Sequence, residues 1–386
     1  MFSHRTNWDR TTNRLSEALA RHQASGRKVL DLTASNPTEC NFPYDSGSIM
    51  RALCSPASLK YRPEPRGLAI ARNAVADYYD GRRETVSPDD MVLTVSTSEA
   101  YSFVFRLLCN PGDELLVPAP SYPLFDFLAD IQDVKLVPYP LIYDHGWQID
   151  FHSLEQTITS RTRGIMVVHP NNPTGHFTKP AEIARLNQIC SGRKMAVIAD
   201  EVFLDFGIDS GAHKSFTANS GALTFTMSGI SKISGLPQMK LAWLIVSGPD
   251  DLKREALARL EVIADTYLSM NAPVQLATPV LLQQRFGFQE QLMGRVRKNL
   301  VELDRQFAEQ KHCSRLQVEG GWYAVLRIPA TGSDEDFAIQ LLEQKDVYVH
   351  PGHFYNFRQE GYLVVSLITR QGEFAEGIRR VLGLAR

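Results

Sequence analysis

The sequence predicts an α/β fold: a large domain whose mostly parallel sheet lies between helices, and a smaller α+β domain. Three observations carry that prediction. From about residue 65 to residue 247, short apolar segments alternate with helical ones. The apolar segments are continuous runs, as in strands covered on both faces. Beyond residue 250 the texture changes to long helical stretches followed by a few strands, which marks a second unit.

Taken in order, Trp8, Leu15, Ala18 and Leu19 stand among polar neighbours and predict one amphipathic helix ending near Gly26. Residues 28–35 predict a short strand running into Ser35-Asn36-Pro37-Thr38. That strand has no slot in the main sheet, so the N-terminal segment is assigned to the smaller domain. Residues 67–81 read as a helix stopped by glycine, 91–96 as a strand, 97–109 as a helix and 110–113 as a turn. Strands follow at 114–120 and 164–170, a helix at 180–189, and strands at 195–200, 223–228 and 241–247. Helical sequence runs from 250 to about 311, and strands at 320–329, 347–352 and 361–369 surround a helix at 334–343, with a final helix after them. The expected boundaries are 46–285 for the large domain, and 1–45 with 286–386 for the small one.

Composition removes several classes. At 386 residues the chain supports two or three domains with a core that needs no staple. Its 41 Lys and Arg against 43 Asp and Glu leave no basic excess for nucleic acid. The apolar run at 241–246 is far short of the ~20 residues that span a bilayer, and the polar start lacks a signal-peptide core. Cys40, Cys54, Cys109, Cys190 and Cys313 are odd in number and form no CxxC pair, which fits reduced thiols in the cytoplasm and neither a disulfide framework nor a zinc site.

Four features sit at predicted strand ends, where open parallel sheets bind ligands. Ser96-Thr97-Ser98-Glu99 opens a helix: its hydroxyls and free N–H groups suit a phosphate, and equally suit plain N-capping. His169-Pro170-Asn171-Asn172-Pro173-Thr174-Gly175 fixes a rigid turn, structural or aiming an Asn amide at a ligand. Asp200-Glu201 puts carboxylates at the tip of a buried strand, where they cap a neighbour or pair with a ligand cation. Lys232 lies in a Ser- and Gly-rich loop; most lysines are solvated, but one beside a phosphate site and a carboxylate can form a Schiff base.

In order, Tyr61 and Gly67, Ser96-Thr97-Ser98, Pro120-Ser121-Tyr122, Asn171-Asn172-Pro173-Thr174-Gly175, Asp200-Glu201-Val202-Phe203, and Ser231-Lys232 with Lys240 resemble the class I and II aminotransferases. These have the aspartate aminotransferase-like fold and belong to the fold-type I enzymes that use pyridoxal 5′-phosphate (PLP). The likeness covers roughly residues 30–365; each motif is weak alone, and six in order are specific. It implies a PLP-binding large domain, Lys232 as the Schiff-base lysine and proton carrier, and Asp200 as partner of the ring nitrogen. It further implies Asn172 as donor to the phenolic oxygen and Tyr122 as the ring-stacking aromatic. Ser96, Thr97, Ser98, Ser231 and Lys240 would hold the phosphate, and Tyr61 would reach the phosphate of a neighbouring subunit. A homodimer with shared active sites follows from that last role.

Three departures stand out. Phe203 replaces a tyrosine that also bonds the phenolic oxygen, which should raise the Schiff-base pKa. Lys240 replaces an arginine and cannot grip phosphate bidentately. Val364 stands where an arginine usually clamps the substrate α-carboxylate, so either Arg370, Arg62 or His353 replaces it or the substrate binds otherwise. The implied function is transamination between an amino acid or amine and an oxo acid. Another PLP reaction on the same scaffold (β-elimination, decarboxylation or racemisation) uses the same Lys232 and Asp200. A PLP-binding regulator lacks a basic N-terminal module here, and a dehydrogenase lacks GxGxxG.

Overall fold

Apolar runs of four to seven residues become six strands of an eight-stranded sheet, because both faces of that sheet are covered by helices. The computed structural model describes every residue except Leu124, Ser210, Ala212, Ser269 and Arg386. The first part of the chain forms α1 (Arg14–Ala24), β1 (Leu30–Asp31), α2 (Ser46–Leu53), α3 (Ala69–Asp80), β2 (Met91–Thr94), α4 (Thr97–Leu108), β3 (Glu114–Ala119), α5 (Phe125–Ile131), β4 (Lys135–Tyr143) and β5 (Trp147–Ile149). Next come α6 (Phe151–Thr157), β6 (Thr162–Val168), α7 (Pro180–Arg193), β7 (Ala196–Asp200), β8 (Thr224–Gly229), α8 (Ile230–Ile233), β9 (Ala242–Ser247), α9 (Asp250–Thr266), α10 (Ala272–Gln283) and α11 (Arg285–Ala308). The last part forms β10 (Ser314–Arg315), β11 (Tyr323–Arg327), α12 (Asp334–Lys345), β12 (Val347–Tyr348), β13 (His350–Pro351), β14 (Tyr362–Ser366) and α13 (Gln371–Leu384).

The large sheet has the order β2-β9-β8-β7-β6-β3-β4-β5. Strands β8, β7, β6, β3 and β4 are parallel, β9 opposes both its neighbours, and β5 folds back on β4. Alternate residues point to opposite cores. Val92, Ile198 and Leu244 meet Phe103 and Val104 of α4 and Leu257 and Leu260 of α9 on one face. On the other, Leu93 and Trp243 meet α3 and α10, while Ile165 and Val197 meet Leu186 and Ile189 of α7. Among the described residues no helix is long and apolar enough to cross a membrane.

The later strands form a separate antiparallel sheet, β10-β11-β14-β13. The N-terminal β1 pairs in parallel with β12, and Leu32 packs into the same core as Leu363 and Val381. Helix α11 is tied to the end of β14 by Asn299, which is 1 % exposed and whose amide donates to Leu367 O at 2.9 Å and Thr369 O at 2.8 Å.

Several expectations change. Trp8 is outside the first helix: Asn13 caps that helix through Ser16 N at 2.7 Å, and Trp8 instead donates to Asp130 Oδ2 at 2.8 Å and packs edge-on against Phe127. The strand expected at 28–35 shrinks to two residues because the Asp31 carboxylate turns back to accept from Thr33 N and Oγ1, both at 2.7 Å. The helical stretch after 250 is three helices, with Asn271 capping the second through Val274 N. Helices α2, α5 and α6 and strands β4 and β5 carried no signal. The helices have at most eight residues, too few for a periodic pattern, and β4 contains Pro138 and Pro140.

Replacing Asn299 by Leu leaves two buried carbonyls without donors. We expect a loss of about 2 kcal/mol in urea unfolding, with the secondary structure of the folded state unchanged in circular dichroism.

Candidate active site

Strand direction assembles the candidate residues. Because β9 runs backwards between β2 and β8, its start lies on the same sheet edge as the ends of β2, β8, β7, β6 and β3. Reading along that edge gives Ser96–Ser98 after β2, Lys240 before β9, Ser231 and Lys232 after β8, Asp200 closing β7, Asn172 after β6 and Tyr122 after β3. Tyr61 stands apart: it is 77 % exposed in the segment before α3 and makes no hydrogen bond or ring contact with the others.

Ser96 is the N-cap of α4. Its Oγ accepts from Glu99 N at 3.2 Å, while the Glu99 carboxylate accepts from Val95 N at 2.8 Å. Capping therefore occupies Ser96, and the hydroxyls of Thr97 and Ser98 have no partner among the described residues. They border the free N–H groups of a twelve-residue helix, where the dipole favours an anion.

The two adjacent carboxylates divide their work. Asp200 Oδ2 accepts from the Tyr101 hydroxyl at 2.8 Å and Oδ1 from Val202 N at 3.0 Å. Burial pushes its carboxyl up, opposed by those two donors and by the Lys232 ammonium. Glu201 faces away, accepting from Ser215 Oγ and Phe216 N, both at 2.6 Å; burial pushes it up to about 8.

The two adjacent asparagines also differ. Asn171 is spent on the turn, donating to Pro120 O at 3.1 Å and Thr174 Oγ1 at 2.9 Å. Asn172 is 9 % exposed and its side-chain amide makes no hydrogen bond among the described residues, while the Oδ1 atoms of both asparagines lack a partner; nearby Ser121 is likewise buried with a free Oγ. His169 is a structural post. Its Nδ1 accepts from Thr178 N at 3.0 Å, its Nε2 donates to Lys214 O at 3.1 Å, and burial lowers it to about 3, so it is neutral.

Lys232 sits on the single turn of α8, not in the loop expected from its Ser- and Gly-rich neighbours. At Gly229, just before that turn, a Cβ would come within 2.9 Å of Leu241 O, so only glycine lets β8 and β9 approach this closely. The Lys232 ammonium lies 4.9 Å from the Trp322 ring centre and 5.6 Å from that of Phe203. Burial lowers its pKa to about 8, while the Asp200 charge resists that fall. An open cleft of about 530 Å³ beside it is lined by Ser35, Asn36, Thr38 and Pro237. Tyr122 is 42 % exposed and packs edge-on against Phe125. Lys240 is exposed, with φ +54°.

Val364 is 1 % exposed in the middle of β14, opposite His350 and Val325. Arg62 and His353 are exposed. Arg370 lines a neighbouring cleft with Asp31, Thr33 and Cys40, and Ser35 and Asn36 border both clefts. Tyr101, Trp322 and Ser35-Asn36 belong to none of the four strand-end motifs. Tyr101 and Trp322 reach the site from apolar runs where they read as core, and the other two arrive through the N-terminal segment.

The free Thr97 and Ser98 hydroxyls at a helix start, the buried and unpartnered Ser121 Oγ, the Asn172 amide, and a buried Asp200 carboxylate that feels the charge of Lys232 make a set of donors and acceptors that fits PLP. In cofactor-free protein, modification of the Lys232 amine should follow a midpoint near 8 instead of the ~10.4 of ordinary lysine. The Asp200 charge favours the ammonium, so Asp200→Asn should move that midpoint down. Amine labelling read on the Lys232 peptide by mass spectrometry measures both.

The family model for aminotransferase class I and II matches residues 28–380. The glutamate–pyruvate aminotransferase AlaA of Escherichia coli is 29 % identical over 264 residues, 68 % of this chain; the match spans 65 % of that relative's own length. The protein of the same name from Haemophilus influenzae is 24 % identical over 95 % of this chain and 92 % of its own. Among solved structures, an aminotransferase from Escherichia coli superposes with TM-score 0.87 at 25 % identity, covering 100 % of this chain and 98 % of that one. An alanine aminotransferase from Pyrococcus furiosus superposes with TM-score 0.88 at 22 % identity, covering 100 % and 99 %. With a family match over nearly its whole length, the chain belongs to the class I and II aminotransferases.

Proposed function

We propose that this chain is an aminotransferase that binds PLP and moves an amino group from an amino acid or amine to an oxo acid. The observation that carries the reading is the pairing of Lys232, an amine of lowered basicity, with a buried Asp200 at neighbouring strand ends. When bound, PLP supplies an electron sink for the bond broken at the substrate α-carbon. A lysine near pKa 8 is partly neutral at physiological pH, so Lys232 takes and returns a proton at that carbon. The Asp200 carboxylate balances a protonated ring nitrogen. Thr97, Ser98, Ser231 and Lys240, with the α4 N-terminus, hold the phosphate, and Ser96 contributes by keeping that helix start capped. Asn172 donates to the phenolic oxygen, and the Tyr122 ring lies against the cofactor face.

The same reading divides the chain into a large domain at 46–285 and a small one at 1–45 with 286–386; the pairing of β1 with β12 supports it. Exposed Met50, Leu59, Tyr61 and Ile70 lie on segments that pack against α10 or just before α3, and Tyr267 and Leu268 lie just ahead of α10. This apolar face supports a homodimer in which Tyr61 reaches the partner's site. Five unpaired cysteines support a cytoplasmic location.

The names of the relatives point first to glutamate as donor and pyruvate as acceptor. A buried Val364 supplies no charge, so the substrate carboxylate takes its cation from elsewhere, with Arg370, Arg62 and His353 the candidates. Mixing PLP-loaded enzyme with glutamate should convert the bound cofactor to its amine form, release one 2-oxoglutarate per site, and do neither in Lys232→Ala. Replacing the contributing cation by Ala should raise KM for the oxo acid about tenfold or more. No spectral change with any amino acid or amine would overturn transamination, and three silent cation variants would overturn the replacement cation.

A further inference from the structure

Tyr101 belongs to none of the motifs, yet it touches the centre of the candidate site. It is 2 % exposed, one turn beyond Thr97 on the same face of α4. Its hydroxyl donates to Asp200 Oδ2 at 2.8 Å, while Val202 N serves Oδ1 at 3.0 Å. Two donors on different oxygens fix the plane of the carboxylate and still leave acceptor capacity on each oxygen. The phenol ring is itself held, edge-on to Phe125 at 5.1 Å, and Phe125 contacts Tyr122 at 6.5 Å. One helix therefore carries both the anion-favouring start and, one turn later, the group that orients Asp200. A phenylalanine at 101 would fill the same apolar space, so packing alone gives no reason for the hydroxyl.

We propose that Tyr101 is a positioning residue for the cofactor ring nitrogen: its hydroxyl keeps the Asp200 carboxylate anionic and turned toward that nitrogen. This rests on the reading of Asp200 given above. A hydrogen bond to the charged form of a buried carboxylate stabilises that form, and losing the donor removes part of the attraction to a protonated ring. By acting through Asp200, Tyr101 would matter only to a ligand that has the nitrogen.

The test compares PLP with its analogue bearing carbon in place of the ring nitrogen, titrated into wild-type and Tyr101→Phe protein by fluorescence. We expect wild type to prefer PLP, and Tyr101→Phe to bind PLP about tenfold more weakly while binding the analogue within about twofold of wild type. Equal weakening for both ligands would mean a structural role and overturn the proposal, as would unchanged PLP affinity. If wild type shows no preference for PLP, the reading of Asp200 itself fails. Tyr101→Leu removes the same donor and gives the same comparison should Tyr101→Phe not fold.

Discussion

Between β2 and β8 one strand runs the wrong way, and that reversal constrains everything on the edge that carries the candidate site. With β9 antiparallel, the chain can leave β8 at Gly229, make the turn that carries Lys232, and re-enter at Ala242 without crossing the sheet. The same arrangement keeps the end of β2, and so the start of α4, on that edge. Helix N-terminus, amine, carboxylate, amide and aromatic therefore line up in the order of the strands that bear them. Helices cover both sheet faces, so the strands are buried and the positions of their ends are set by packing.

The electrostatics of the edge follow from that burial. Asp200 and Lys232 are each pushed toward neutrality by loss of water, and each is pulled back toward charge by the other. Such a balance leaves the lysine close enough to neutral to act as nucleophile and proton carrier, and leaves a carboxylate ready for a cation brought by a ligand. Phe203 and Trp322 keep the surroundings of the amine apolar. Lys240, on the same edge, is exposed and makes no such ring contact among the described residues.

Much of this was legible in the chain itself. Continuous apolar runs announced the parallel strands, and strand-end motifs announced Thr97, Ser98, Asn172, Asp200 and Lys232, because ligand sites in such sheets sit at strand ends. The division of labour within pairs was not legible. Asn171 and Asn172, or Asp200 and Glu201, differ only in which way the backbone aims each side chain. Tyr101 and Trp322 escaped for another reason: both lie in apolar runs where an aromatic reads as core, and only tertiary packing brings one against Asp200 and the other against Lys232. Short elements such as α5 and β5 gave too few residues for a period to show.

The central claim is that Lys232 is the amine on which the cofactor is carried. Borohydride reduction of the PLP-loaded protein, followed by peptide mapping, tests it most directly. A single phosphopyridoxyl label on the peptide containing Lys232, absent from Lys232→Ala, is the predicted result. Stoichiometric label on a different lysine, or none on a protein that retains bound PLP, would contradict it.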